Sequence, residues 1–238
     1  MKNRIVNWLR KQVTLSKAKG IVVGLSGGVD SSVVAALSKE AVGKSNILAL
    51  ILPCHSQIQD LRDAKLIAKK LGIKTMIVDL SNIYNTSIKI LPKANNLAMA
   101  NLKPRLRMLV LYYFANKLNY LVCGTGNKSE IKVGYFTKHG DGATDILPIG
   151  DLLKRQVIKL AKDLGIPQHI IAKKPTAGLW PGQTDEGEMG VTYPELDDIL
   201  SRLEHRKKQI LSQAKVNKVK QMIKRSEHKR QGPRICDI

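Results

Sequence analysis

The sequence is short of aromatic rings, cysteine and acid, and each shortage removes a class of function. Two Phe, two Trp and six Tyr make up 4% of 238 residues. That is too few for the interleaved rings of a single-strand nucleic-acid platform. Cys54, Cys123 and Cys236 are scattered and in no metal-ligand spacing, which fits a reducing cytoplasm and no thiol catalysis. No apolar run approaches the ~20 residues that span a bilayer. The start, Met1 to Leu9, has an amphipathic helix pattern and no long apolar stretch, so it does not read as a signal peptide. Neither Gly-x-x-x-x-Gly-Lys-Ser/Thr nor Gly-x-Gly-x-x-Gly occurs. There is no internal repeat, low-complexity tract or linker dividing two domains.

Acid is the scarcest class relative to its opposite: 19 acidic residues face 40 basic ones, a formal net charge of +21. The excess is uneven. Ser201 to Ile238 holds twelve Lys/Arg and three acids, and Met1 to Gly20 holds six basic residues and no acid. Such a balance favours anionic partners. Solvated lysine-rich helix faces account for most of it.

What the chain does have is the stretch Gly24-Leu25-Ser26-Gly27-Gly28-Val29-Asp30-Ser31, with Ser32 following. It lies between a buried-strand pattern, Ile21-Val22-Val23, and a helical pattern, Val33 to Leu37. A Gly-rich turn there exposes the N–H groups of a helix N-terminus, and those donors with the macrodipole favour phosphate. Gly27 and Gly28 permit close backbone approach. The serines donate hydroxyls, and Asp30 can hold a divalent cation against the phosphates. The stretch resembles the signature of the ATP pyrophosphatases, which cut ATP between its α- and β-phosphates.

Taken in order, the chain alternates helix and strand. Apolar spacing predicts a helix over 2–16, a strand over 19–24 and a helix over 31–42. An unbroken apolar run at 46–52 reads as a central parallel strand. Then come a helix at 60–71 ended by Gly72, a strand at 75–80, helices near 83–91 and 103–118, and a fourth strand at 120–123. This alternation predicts an α/β fold, a doubly wound, mostly parallel sheet with helices on both faces and right-handed crossovers. In such sheets ligands bind beyond the carboxyl ends of the strands at the switch point. The two Gly-rich turns, Gly24–Gly28 and Gly124-Thr125-Gly126-Asn127, belong to that edge. Residues 130–150 read as an ordered loop and 175–193 as a long loop that is either functional or disordered; 152–164, 196–211 and 215–225 read as helices. The whole chain, 1–238, is expected to be one domain with its basic segment, about 201–238, packed on it.

Seven further stretches resemble NAD synthetase, the amide-forming branch of the ATP-pyrophosphatase, Rossmann-like group. They are Asn101 to Met108, Gly124 to Glu130, Gly134 to Gly142, Asp145 to Leu152, Pro175 to Trp180, Gly182 to Glu186 and Glu227 to Arg230. They run in order over nearly the whole chain. The resemblance implies that Gly24, Leu25, Ser26, Gly27, Gly28, Val29, Asp30 and Ser31 bind ATP, with Thr125, Lys154 and Thr176. It makes Asp30 and Glu130 ligands of Mg²⁺, and Asp30 with Lys154 the catalytic pair. Arg105, Lys138, Asp145, His228 and Lys229 match positions that hold deamido-NAD, which in this family lies across a homodimer interface. Taken singly, Lys138 and Lys154 are ordinary solvated lysines, Glu130 a helix-start acid and His228 a tail histidine. Gly178 stands where the family commonly has Asp, and Pro104 where Ala is usual.

The implied reaction adenylates the carboxylate of deamido-NAD and then amidates it with ammonia, giving NAD, AMP and pyrophosphate. Only 23 residues precede Gly24, none of them Cys, so no fused glutaminase domain is expected, and free ammonia is the expected donor unless a separate subunit supplies it. The rival is an RNA-modifying ATP pyrophosphatase that works through a tRNA-base adenylate. The charge favours it; the lack of a Cys pair near the site opposes it. Nucleic acid and membrane are not expected partners.

Overall fold

Strand pairing follows from which residues can be buried on both faces. The computed structural model describes residues 1–180 and 182–236; Pro181, in the expected 175–193 loop, and the last two residues of the basic segment lie outside them. In chain order the elements are α1 (Lys2–Leu15), β1 (Gly20–Gly24), α2 (Val29–Val42), β2 (Ile47–Ile51), α3 (Ile58–Leu71), β3 (Lys74–Ile77), α4 (Ser81–Ile90), α5 (Asn96–Ala100), α6 (Leu102–Leu118) and β4 (Tyr120–Cys123). There follow α7 (Lys128–Val133), α8 (Lys154–Asp163), α9 (Gln168–Ile171), α10 (Asp185–Met189), α11 (Tyr193–Glu204), α12 (Gln213–Arg225) and α13 (Glu227–Arg230).

The four strands form one parallel sheet in the order β3-β2-β1-β4. Successive side chains of a strand face opposite ways, so each strand feeds two cores. Ile21, Val23, Ile47, Ala49 and Ile51 pack with α1, α2, α3 and α8 on one side. Val22, Leu48, Leu50 and Val122 pack with Met108, Leu111 and Ala115 of α6 on the other. This is the expected doubly wound arrangement. A third cluster joins Val133 of α7 to Met189, Leu196, Ile199, Val216 and Val219 of α10, α11 and α12. Through it α12 of the basic C-terminal segment is anchored on α7 and α11 instead of on the sheet.

Several boundaries differ from the sequence reading, each for a local reason. β3 is shorter than 75–80 and lies at the open edge, with Met76 39% and Ile77 47% exposed. An Ile/Val-rich run does not distinguish an edge from a centre. The 130–150 loop begins with α7, made by a capping box in which Asn127 and Glu130 satisfy each other's backbone N–H groups. The 175–193 loop contains α10, capped by Thr184. The helix expected over 196–211 starts earlier, where Thr192 and Glu195 form another capping box, and ends at Glu204. No helix among the described residues is long and apolar enough to cross a membrane.

The topology fixes the site. The chain runs outward from β1 through β2 to β3, then returns through α4 to α6 and places β4 on the other side of β1. The turns leaving β1 and β4 therefore open side by side at the switch point, where a parallel sheet leaves a crevice.

Candidate active site

That crevice is a cavity of about 450 Å³. Its floor is the turn after β1. Leu25 N donates to Leu50 O at 2.8 Å, which holds the turn to the end of β2. Gly27 has φ +82°, and a Cβ there would run into the carbonyl oxygen of Asp60 at the start of α3. Only glycine suits both constraints. Gly28 is the N-cap of α2 and offers no side-chain cap, so the first-turn N–H groups stay available to an anion. Ser26 and Ser31 are hydroxyl-to-hydroxyl at 3.0 Å, while Ser32 donates to Gly28 O at 2.7 Å. We expect Gly27→Ala to add about 1–2 kcal/mol of backbone strain besides the clash. It should weaken ATP binding roughly tenfold or more; unchanged ATP titration calorimetry would refute the role given to this turn.

Above the turn sits a buried ion triad drawn from three distant parts of the chain. Lys154, at the first position of α8, directs Nζ to Asp30 Oδ2 and lies 3.5 Å from Glu130 Oε1. Only 3% of its side chain is exposed. Asn127 Nδ2 donates to Asp30 Oδ1 at 3.1 Å, so Asp30 is held from two sides. Tyr193 OH reaches Glu130 Oε1 at 3.2 Å and Asp185 Oδ2 at 3.0 Å. Burial pushes the Glu130 carboxyl up to about 7, partly offset by the Lys154 charge. Burial works to lower Lys154, but the Asp30 and Glu130 charges outweigh it and keep the ammonium protonated.

The opposite wall is a strap, residues 173–180, tied down at both ends. Lys173 Nζ bridges Asp60 Oδ1 at 2.6 Å and Asp63 Oδ2 at 2.8 Å. Burial alone would raise Asp63, yet hydrogen bonds from Lys173 and Gln59 hold it below its ordinary value. At the far end, Lys103 Nζ donates to Leu179 O at 2.6 Å, and burial lowers its pKa. Between these ties Thr176 faces the cavity, with Gly178 N donating to its Oγ1 at 3.0 Å. Gly178 has φ +61° and open space at its Cβ. Asp tolerates that region better than most residues, so the family's usual residue would fit the same backbone.

The cavity thus collects Gly24, Leu25, Ser26, Gly28, Val29, Asp30, Ser31, Thr125, Glu130, Lys154, Thr176 and Lys229. Gly27 turns away behind the loop. Arg105, Lys138, Asp145 and His228 do not line it. Arg105 Nη2 and Lys138 O are 3.4 Å apart, and Lys138 Nζ donates to His228 O at 2.6 Å, so these three form one neighbouring group. Lys138 and Lys229 share a second cavity of about 240 Å³. Asp145 sits apart: it accepts from Val122 N at 2.7 Å and from Tyr112 OH at 2.9 Å, bracing β4.

Sequence reasoning did not single out Asn127, Asp185, Tyr193 or Lys173. The Asn-x-x-Glu spacing of a capping box was a legible signal for Asn127. Nothing local marks the place of Tyr193 or Lys173 in the site, since Glu130 lies 63 residues from Tyr193 and Asp60 lies 113 from Lys173. The carboxylates of Asp30 and Glu130 are donors of the kind that suit Mg²⁺, which takes one or two carboxylates and completes its shell with phosphates and water. Among the described residues no set of three His, Cys, Asp or Glu gathers as a self-sufficient metal site.

A family model described as NAD synthase matches residues 1–233. The NH₃-dependent NAD⁺ synthetase of Carboxydothermus hydrogenoformans is 48% identical, over 98% of this chain and 95% of its own. Among solved structures, the NMN synthetase of Francisella tularensis superposes with a TM-score of 0.91 at 39% identity, over 100% of this chain and 97% of that one. The NH₃-dependent NAD synthetase of Campylobacter jejuni, solved with a nitrate ion, gives 0.87 at 30% identity, over 99% and 97%.

Proposed function

This chain belongs to the NAD synthase family, enzymes that form an amide with ammonia in NAD biosynthesis, and on that premise we propose how its residues divide the work. ATP lies with its phosphates on the first-turn N–H groups of α2 and the hydroxyls of Ser26 and Ser31, with Thr125 and Thr176 on the flanking walls. Deamido-NAD brings its nicotinate carboxylate to the α-phosphorus. The acyl–O–P bond forms and pyrophosphate leaves; ammonia then attacks the acyl carbon, its extra proton is released to solvent, and AMP departs with the C–O electron pair. The attacking carboxylate is already ionised, so the first step needs position and charge stabilisation.

The observation that carries this reading is Lys154 held between Asp30 and Glu130 at the rim of the phosphate turn. Asp30 and Glu130 would hold Mg²⁺, which supplies charge neutralisation for the pyrophosphate when bound. Lys154 keeps the two carboxylates at one place and is itself kept charged by them. Arg105, Lys138, Asp145, His228 and Lys229 are assigned to the dinucleotide. We take residues 1–238 as one domain working in the cytoplasm, where the buried thiols of Cys54 and Cys123 stay reduced.

The site is completed by a second copy of the chain. A strip of α4, α5 and α6 exposes Ile83, Ile90, Leu97, Leu109 and Tyr113, with Ile90 77% and Leu109 63% exposed. Arg105 stands on the same helix. Apolar area of this kind marks an interface. Light scattering should report a dimer, and Leu109→Glu should give a monomer with a raised KM for deamido-NAD. A monomeric parent would remove the shared-site reading.

The deciding assay supplies ATP, Mg²⁺, ammonium and deamido-NAD and follows NAD and AMP, which must appear in equal amounts. ADP as the product would overturn the reading. A parallel arm offers nicotinate mononucleotide, because the Francisella tularensis structure named above is that of an NMN synthetase. The acceptor with the larger kcat/KM identifies the substrate. None of the relatives named above is an RNA-modifying enzyme.

A further inference from the structure

The strap carries a side chain that the phosphate chemistry does not use. Trp180, at its far end, lines the cavity and is 36% exposed. Leu97, on the apolar strip of α4 to α6, is the other large apolar residue both exposed and on the cavity wall. The chain has two tryptophans, and Trp8 belongs to α1, away from the cavity. An indole offers a large flat apolar face and one N–H donor. Among the described residues the Trp180 indole stacks on no ring, faces no cation and donates no hydrogen bond.

Its backbone, by contrast, is fixed. Lys103 Nζ holds the carbonyl of the preceding Leu179, whose N–H donates to Gln183 Oε1 at 2.7 Å. Gln183 N donates to Trp180 O at 3.3 Å. The Gln183 amide in turn donates to Glu188 Oε2 at 2.6 Å, an oxygen that also accepts from the Tyr135 hydroxyl. Trp180 is therefore tied to the end of the cavity that Tyr135 and Phe136 wall. Lys229, assigned above to the dinucleotide, donates to Phe136 O at 2.8 Å, which makes this the acceptor's end. The co-substrates bring two kinds of flat ring. Adenine is neutral. The nicotinate ring of deamido-NAD is joined to ribose through its nitrogen and is a pyridinium, a flat cation. Of the aromatic side chains, Trp attracts a cation over its face most strongly.

We propose that the Trp180 indole stacks on the pyridinium ring of the acceptor and holds its plane while the ring carboxylate is activated. The proposal rests on the synthetase reading above and adds a ring-recognition residue to it. The fixed backbone presents the indole at the cavity wall, and the ring's positive charge selects it over adenine.

The test uses the full chain carrying Trp8→Phe, which leaves Trp180 as its sole tryptophan. Deamido-NAD should quench its emission and raise a charge-transfer absorption band, because a pyridinium accepts charge from an indole. Nicotinate mononucleotide, which has the pyridinium and no adenine, should raise the same band, and ATP should do neither. Quenching by ATP, or by deamido-NAD without the band, would assign the indole to an adenine and overturn the proposal. In kinetics, Trp180→Ala should raise the KM for deamido-NAD roughly tenfold, the worth of a desolvated cation–π contact. The KM for ATP and the thermal midpoint should stay near the parent values, and Trp180→Phe should recover much of the loss. Equal rises in both KM values would make Trp180 a strut of the strap and sink the proposal. A parent that releases no pyrophosphate from ATP and deamido-NAD overturns the synthetase reading. One that releases it without the acceptor-specific band overturns this proposal alone.

Discussion

Lys154→Met is expected to abolish NAD formation and to lower the thermal midpoint. The side chain is buried against two carboxylates, and methionine keeps its length while removing the charge. Breaking a buried pair by deleting one partner costs about 3–5 kcal/mol, because the remaining charge is stranded. Here two carboxylates are stranded together. Glu130, already at about 7, can relieve part of the strain by taking a proton, which puts the expected loss at the lower end of that range. For a chain of this size that is a midpoint fall of roughly 6–12 °C. A second variant separates stability from chemistry. Glu130→Gln with Lys154→Met removes one stranded charge and should recover most of the midpoint without recovering activity. Activity returning with stability would show that Lys154 only holds the fold.

Asp30→Asn should reduce adenylate formation by at least about 10³-fold, comparable to losing a preorganised charge partner in an enclosed site. Its effect on the fold should be smaller than that of the lysine variant. Lys154 keeps Glu130 as a partner, and the Asn127 amide keeps an oxygen to donate to. The loss is then that of a hydrogen bond to a charged group, about 1.5–3 kcal/mol. The measurement is pyrophosphate released from ATP and deamido-NAD without ammonia, beside a melting curve. Turnover within tenfold of the parent would remove Asp30 from the catalytic group.

These two variants probe residues that sequence reading reached by different routes. Asp30 was legible locally: a strand, two glycines, three serines and an acid in one turn can hardly do anything but grip phosphate. Lys154 was legible only by resemblance, since a lysine at a helix start is ordinary by itself. Its partnership with Asp30 spans 124 residues and depends on α8 packing against α2 below the sheet edge. The acidic end of the cavity was hidden for the same reason. Asp185 and Tyr193 belong to a region that reads as an irregular, glycine-rich loop, and only the capped helices α10 and α11 turn them inward. Asp145 shows the reverse case, a matched position whose carboxylate the fold occupies with a strand N–H and a tyrosine hydroxyl.

By itself the sequence determined the alternation of helices and strands, the parallel sheet and the phosphate-gripping turn, because each depends on neighbours within a few residues: periodicity, caps and glycine. Tertiary structure decided which strand lies at the edge, which carboxylates share Lys154 and which lysines tie the strap. Those are properties of side chains brought together from distant segments, where charge and burial act through space and leave no local pattern.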